Sequence, residues 1–310
     1  MLKKYIISIV GRKNIEFIRS RPFLVHGKYR QIIKDLEKFS EIIDKSYGKD
    51  PSLSLLLVRK FGHILDKGLH RLDVEKGHSG AIAGELEKNI KIAELEYIND
   101  ETIKWAKDKL EKYNELQATG RIDPLEGNQP DLKIEFDELN TLFKIRRSNR
   151  SFLVRNVDSE ILDKLASSVN WAASSCNKQP VMLFATTDPA AAKACLRCCK
   201  GGTGFSEFIP AFISFTADMR GYYLPDEAYL PSIDVALGAQ NFMLAAETLG
   251  LGGCCMSWAL KDQNEEAQLR KLLSIPDYVQ IIFNVVIGYP SKRAVPPTRK
   301  DLSNTLFIMK

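Results

Sequence analysis

Apolar positions recur at helical spacing through the first third of the chain. Tyr29, Ile32, Ile33, Leu36, Phe39, Ile42 and Ile43 line one helical face, closed by Gly48 and Pro51. Leu53 to Leu65 forms a second apolar segment. Ile103, Ala106, Leu110, Tyr113 and Leu116 place a third helix behind Asp100, whose carboxylate suits an N-cap. Between these, Phe61–Leu69 and the charged, glycine-bearing sequence up to Gly80 break the period and predict a loop. Three histidines fall there, His63, His70 and His78. A ligand or metal site is one reading of them, and a solvated helix end with its loop is the simpler one.

From Thr119 to Pro130 the chain carries Gly120, Pro124, Gly127 and Pro130 among polar neighbours, the composition of a linker. The predicted division is therefore a small all-helical domain over residues 1–120, a linker over 121–135, and a second domain over 136–310. In the second domain Asp137 is expected to cap a short helix carrying Leu139, Leu142 and Phe143. Asp158 is expected to cap another with Ile161, Leu162, Leu165 and Val169 inward. Met182–Thr186, Ala211–Thr216, Gly252–Met256 and Tyr278–Ile287 read as strands. Helices are predicted over Pro189–Cys199, over Ile233–Leu249 and around Leu269, Leu272 and Leu273. Ile233–Leu249 is so apolar that it should be buried on most sides. This order predicts an α+β sandwich.

Composition narrows the class. With 310 residues and 45% hydrophobic content the chain can bury sizeable cores, and a net charge of +5 gives no strong case for nucleic acid or a membrane surface. No apolar run is long enough for a membrane span, and residues 1–10 do not form a convincing signal peptide, so a soluble cytoplasmic protein is expected. All six cysteines lie in the second half and all four histidines precede residue 80. A Cys/His metal site within either half would thus lack one ligand type, and no metal is expected. The densest thiol group is Cys195, Cys198 and Cys199. Arg197 and Lys200 beside it favour thiolate, but small buried thiols are the simpler reading, as they are for Cys254 and Cys255.

Four segments carry the candidate chemistry. Arg146, Arg147, Ser148 and Arg150 offer guanidinium groups and a hydroxyl suited to a phosphate, although a basic run is more often a solvated face. Ser174-Ser175-Cys176-Asn177-Lys178-Gln179-Pro180 presents the amides of Asn177 and Gln179, which could read a flat heterocycle or serve an ordinary turn. Gly250 to Trp258 lets backbone approach a ligand closely, but it follows a helix rather than opening one, which excludes a dinucleotide fingerprint. Ile287-Gly288-Tyr289-Pro290, followed by Pro296 to Lys300, ends in Arg299, a late cation that could return to the phosphate.

In this order and spacing the segments resemble the nitroreductase family of FMN enzymes, over roughly Phe143 to Arg299. The resemblance implies a nitroreductase-like FMN-binding α/β sandwich preceded by the helical domain. It implies that Arg146, Arg147, Ser148, Arg150 and Arg299 hold the FMN phosphate, and that Asn177, with Gln179, sits by the isoalloxazine. Ser257 and Trp258 take the positions near flavin N5, where some members carry Glu-Gly. It further implies a homodimer with two FMN sites at its interface, and ping-pong transfer of hydride from NAD(P)H through FMN to a small-molecule acceptor. Tyr222, Tyr223, Tyr229, a cysteine or solvent would supply protons. Two other readings stand beside this one. The first is a flavoenzyme of a dedicated biosynthetic step that does not use free NAD(P)H. The second is a non-catalytic FMN-binding or scaffold protein. The His63–Leu69 stretch is similar to extensions that accompany nitroreductase domains in bacterial polysaccharide biosynthesis.

Overall fold

The computed structural model describes residues 37–71, 76–122, 130–222, 224, 227, 229–258 and 263–309. It forms two compact units, Met1–Lys49 and Asp50–Lys310. Within the first, residues 37–46 are helical and Gly48 follows at φ +72°. Tyr29, Ile32, Ile33 and Leu36 of the predicted face lie outside the described residues, as does 123–129 of the predicted linker.

The second unit opens with helices α1 (Pro51–Leu69), α2 (Gly80–Tyr97) and α3 (Glu101–Thr119). Asp50 starts α1 by accepting the amides of Ser52 and Leu53 at 2.9 and 3.2 Å, and Pro51 sits in the first turn, where no N–H is needed. Pro51 therefore begins a helix as well as following one. Asp100 caps α3 as expected, accepting from the Thr102 amide at 2.7 Å, and Gly120 ends it at φ +78°. Leu53, Leu57 and Leu65 of α1, Leu86 and Ile90 of α2, and Ile103 and Leu116 of α3 form the core of this bundle.

The loop predicted over Phe61–Leu69 is helix instead. Gly62, read as a breaker, is the point where α1 meets α3: an added Cβ would lie 2.5 Å from Cζ3 of Trp105. The glycine is required by packing against a neighbouring helix and leaves the backbone hydrogen bonds of α1 intact. Of the three histidines, His63 lies within α1, His70 caps its end and His78 precedes α2.

A buried cation joins the bundle to the sheet that follows. Arg220 donates from Nη1 to Asp50 Oδ2 at 2.7 Å, from Nη2 to Ser52 Oγ at 3.0 Å, and from Nε and Nη2 to Asp218, while its guanidinium lies 3.8 Å from the Tyr278 ring centroid. Burial disfavours its charge, but Asp218 and Asp50 outweigh that and raise its pKa.

After α4 (Phe136–Ile145) and α5 (Ser159–Asn170) comes a four-stranded antiparallel sheet in the order β1-β2-β4-β3. Its strands are β1 (Val181–Thr186), β2 (Ala211–Asp218), β3 (Gly252–Met256) and β4 (Val279–Gly288). α4 begins behind Glu135, whose amide donates to Glu138 Oε2 at 3.1 Å, so Asp137 belongs to the first turn and is not its cap. Every residue of β2 is buried, because helices cover both faces. Phe212 joins the core shared with α6 (Pro189–Arg197) and α8 (Gln263–Leu273). Phe215 points the other way, stacks on Phe283 at 5.2 Å and meets Phe242 of α7 (Leu230–Thr248) edge-on at 5.1 Å. The architecture is thus an α+β sandwich.

Helix α7 departs from expectation. Val235, Ala239, Phe242, Met243 and Ala246 are buried, yet Ile233 and Leu237 remain 51% and 45% exposed. The apolar character predicted to be internal therefore includes an outward stripe. α4 likewise has no buried residue, and exposes Phe136, Phe143 and Ile145.

In an unconstrained helix, Gly62→Ala would stabilise by about 1 kcal/mol. Here the Trp105 contact reverses the sign, and overpacking should cost about 1–3 kcal/mol, seen as a lower midpoint in urea unfolding.

Candidate functional site

The first and third motifs, distant in sequence, are adjacent in the fold. Ser148 forms a parallel bridge with Gly253 of β3, and the Asn149 amide donates to the Gly253 carbonyl at 2.9 Å. The approach is close enough that a Cβ on Gly252 would lie 2.3 Å from Asn149 Nδ2. Glu247, near the end of α7, accepts the Arg147 amide at 3.2 Å and fixes the start of this segment. Among the described residues, no carboxylate pairs with the guanidinium groups of Arg146, Arg147 or Arg150. Nε of Arg147 and Nε1 of Trp258 are buried donors without a partner, and Asn149 Oδ1 is a buried acceptor without one. Asn149 was not among the predicted site residues, because an asparagine inside a basic run carries no distinguishing signal. Ser257 is exposed and Trp258 buried, directly after β3.

The fourth motif reaches the same region. The Leu153 amide donates to the Tyr289 carbonyl at 2.8 Å, and the Arg155 guanidinium lies 3.7 Å from the Tyr289 ring centroid. Arg299 does not join them. It lies in the exposed C-terminal segment, where its Nη1 donates to the Thr298 carbonyl at 3.1 Å.

The second motif is held at the opposite end of α7. Asp234, 2% exposed, accepts the Ser175 amide at 3.0 and 3.1 Å, the Ser175 hydroxyl at 2.9 Å and the Tyr222 hydroxyl at 2.5 Å. Lys178 is completely buried, pairs with Glu227, and places its ammonium 4.2 Å from the Tyr222 ring centroid. Around it, Cys176, Asn177 and Gln179 adopt φ values of 52°, 52° and 49°. Left-handed backbone at non-glycine residues costs on the order of 1–3 kcal/mol each, least for asparagine, and persists only where surrounding contacts enforce it. Asn177 and Gln179 face outward and are bonded to each other, Gln179 Nε2 to Asn177 Oδ1 at 3.0 Å.

The thiols next to Arg197 and Lys200 do not behave as their neighbours suggest. Burial pushes Cys195 and Cys199 up to about 12 and raises Cys198 as well. Lys200 is paired with Glu265 at 2.6 Å, and the Glu265 charge further disfavours thiolate at Cys198 and Cys199. Cys254 is also raised by burial, against the opposing charge of Arg150 and a hydrogen bond with Ser148. Tyr222 is a poor proton donor: burial, its bond to Asp234 and that carboxylate's charge all hold the phenol well above its ordinary range. Tyr229 is exposed, and Tyr223 lies outside the described residues.

Residues 205–289 match the model of the nitroreductase family. Over this stretch the chain is similar to the nitroreductase family. Over 160 residues it is 29% identical to FMN reductase (NADPH) of Bacillus subtilis, covering 47% of this chain and 63% of that protein. Over 170 residues it is 29% identical to an NADPH-dependent oxidoreductase of Staphylococcus epidermidis, covering 50% and 66%. The chain thus spans less than two thirds of each relative. The solved structure of B. megaterium NfrA1 superposes with a TM-score of 0.50 at 22% identity, over 56% of this chain and 74% of that one, which shows a shared fold. The matched residues include β2, α7, β3, α8 and all of β4.

Thiol labelling at pH 8 should be slow at Cys195, Cys198, Cys199 and Cys254 and should become complete on unfolding. Rapid native labelling of these four would contradict their burial. Because the folded pKa values of Cys195 and Cys199 stand near 12 against an ordinary 9.0, their contribution to stability is complete below about pH 9. It is lost as pH rises toward 12, and replacing both with Ala should flatten that alkaline decline.

Proposed function

We propose that this chain is an FMN-dependent oxidoreductase that takes electrons from NAD(P)H and passes them to a small-molecule acceptor, working as a homodimer. The observation that carries the reading is the set of three guanidinium groups without carboxylate partners, on a segment that Ser148 and Asn149 tie to Gly253 of β3. Unpaired cations clustered on one fixed segment suit a phosphorylated ligand. The unpartnered donors at Arg147 Nε and Trp258 Nε1 fit the same ligand. The names of the two curated relatives agree with it.

In this reading Arg146, Arg147, Ser148 and Arg150 hold the phosphate, with Arg299 added from the C-terminal segment. Asn177 and Gln179 meet the pyrimidine edge, and Ser257 and Trp258 border the ring. When bound, FMN supplies two-electron chemistry, receiving hydride from a nicotinamide and yielding electrons to the acceptor in ping-pong order. The protein supplies charge neutralisation, orientation and exclusion of water. No histidine follows His78 and Tyr222 is committed to Asp234, so among the described residues the candidate proton sources are Tyr229 and the exposed thiols of Cys176 and Cys255, beside solvent.

The homodimer has its own support. Asp234 holds the Asn177 loop and Glu247 holds the arginine segment, and at about 1.5 Å per residue these two carboxylates lie about 20 Å apart along α7. The exposed Ile233 and Leu237 lie at the loop end of that helix. A two-fold axis across this stripe would bury it and bring the loop of one protomer to the arginines of the other. Residues 136–310 form the flavin-binding domain in this reading, with α1–α3 as an accessory bundle.

Purified chain titrated with FMN should quench flavin fluorescence, and anaerobic NADPH or NADH should then bleach the visible flavin absorbance. Bound flavin that neither nucleotide bleaches would point to the dedicated biosynthetic or non-catalytic alternatives, and absence of any binding would remove the flavin assignment. Leu237→Asp should shift the chain from dimer to monomer in light scattering and weaken FMN binding with it. A dimer unaffected by Leu237→Asp would place the interface elsewhere.

A further inference from the structure

A lysine in a polar turn ordinarily extends into water, yet Lys178 is completely buried between two residues that face outward. Its ammonium enters a pocket made by the Glu227 carboxylate and the face of Tyr222. Tyr222 in turn donates to Asp234, which grips Ser175 at the front of the same turn. The turn is therefore held at two points, Ser175 and Lys178. The left-handed residues Cys176, Asn177 and Gln179 lie between and just after them. Inside the turn, the Asn177 amide donates to the Ser174 carbonyl at 3.0 Å and the Gln179 amide to Ser174 Oγ at 3.0 Å.

The consequence for the two outward amides is specific. One N–H of Gln179 Nε2 goes to Asn177 Oδ1, which orients the two carboxamides so that Asn177 Nδ2 offers donors and Gln179 Oε1 an acceptor. A donor beside an acceptor matches the alternating edge of a pyrimidine-like ring. We propose that Lys178, with Asp234 as its counterpart, is a positioning residue that holds the turn in its left-handed form and so presets the Asn177–Gln179 pair for the cofactor's edge. The inference rests on the flavin reading for the identity of that edge, but the anchoring itself is a property of the protein alone. Lys178 touches no ligand in this role. It acts by inward attachment, which keeps its two neighbours pointing outward.

Two measurements on the full chain separate these parts. Hydrogen exchange of flavin-free protein should show the amides of Asn177 and Gln179 protected, and K178M should release them. FMN titration by fluorescence quenching should weaken in the same variant. If K178M lowers the population of the competent turn to a tenth, apparent affinity falls about tenfold. Leu116→Ala, in the core of the helical bundle, serves as a destabilised control that leaves both readouts at their wild-type values. E227Q should move them in the same direction as K178M. Unchanged exchange at Asn177 and Gln179 in K178M, or equal effects from Leu116→Ala, would overturn the positioning role. Wild-type chain that takes up no FMN while K178M still frees the turn would overturn the flavin reading and uphold the anchoring.

Discussion

A single helix fixes where the candidate chemistry can occur. α7 lies on the sheet through Val235, Ala239, Phe242 and Met243, and it carries Asp234 at one end and Glu247 at the other. Each carboxylate accepts the backbone N–H of a loop, Ser175 in one direction and Arg147 in the other, and adds to the anchoring by Lys178 and by the Ser148–Gly253 bridge. Hydrogen bonds of this charged type are short and about twice as strong as neutral ones, and at Asp234 the protein surroundings exclude competing water. The rigidity of the helix therefore becomes the spacing between two polar loops.

That spacing separates the pieces. Guanidinium groups without carboxylate partners stand at the β3 end of α7, and the Asn177–Gln179 amide pair and the exposed Ile233–Leu237 stripe stand at the other. Each is costly or wasteful alone. Together they are the features on which the proposed flavin site and homodimer rest.

Much of this was legible from residue order. The strands and helices of the second half emerged because their apolar periods are strong and their turns carry Asp, Pro or Gly at the expected places, as at Asp188-Pro189 and Gly250. The Arg146–Arg150 and Ser174–Pro180 motifs could be named for the same reason: their chemistry is written in consecutive residues. What could not be read depended on distant partners. Gly62 looks like a helix breaker until Trp105 is placed against it. α2 was hidden behind the glycine-rich stretch before it, although Leu86, Ile90 and Ala93 recur at helical spacing. The pairing of Lys200 with Glu265, which removes the thiolate-favouring charge beside the buried cysteines, joins residues 65 apart. The burial of Lys178 likewise depends on Glu227 and Tyr222, far along the chain.

The Arg220 cluster has an evolutionary implication. Its guanidinium draws partners from both ends of the compact unit, Asp50 and Ser52 from the first helix and Asp218 from the central strand. A descendant that shed the helices would lose Asp50 and Ser52 and return the guanidinium to water, with Asp218 and the Tyr278 ring left as its partners, so little would still require arginine at that position. The identity of residue 220 among relatives should therefore track the presence or loss of the preceding bundle.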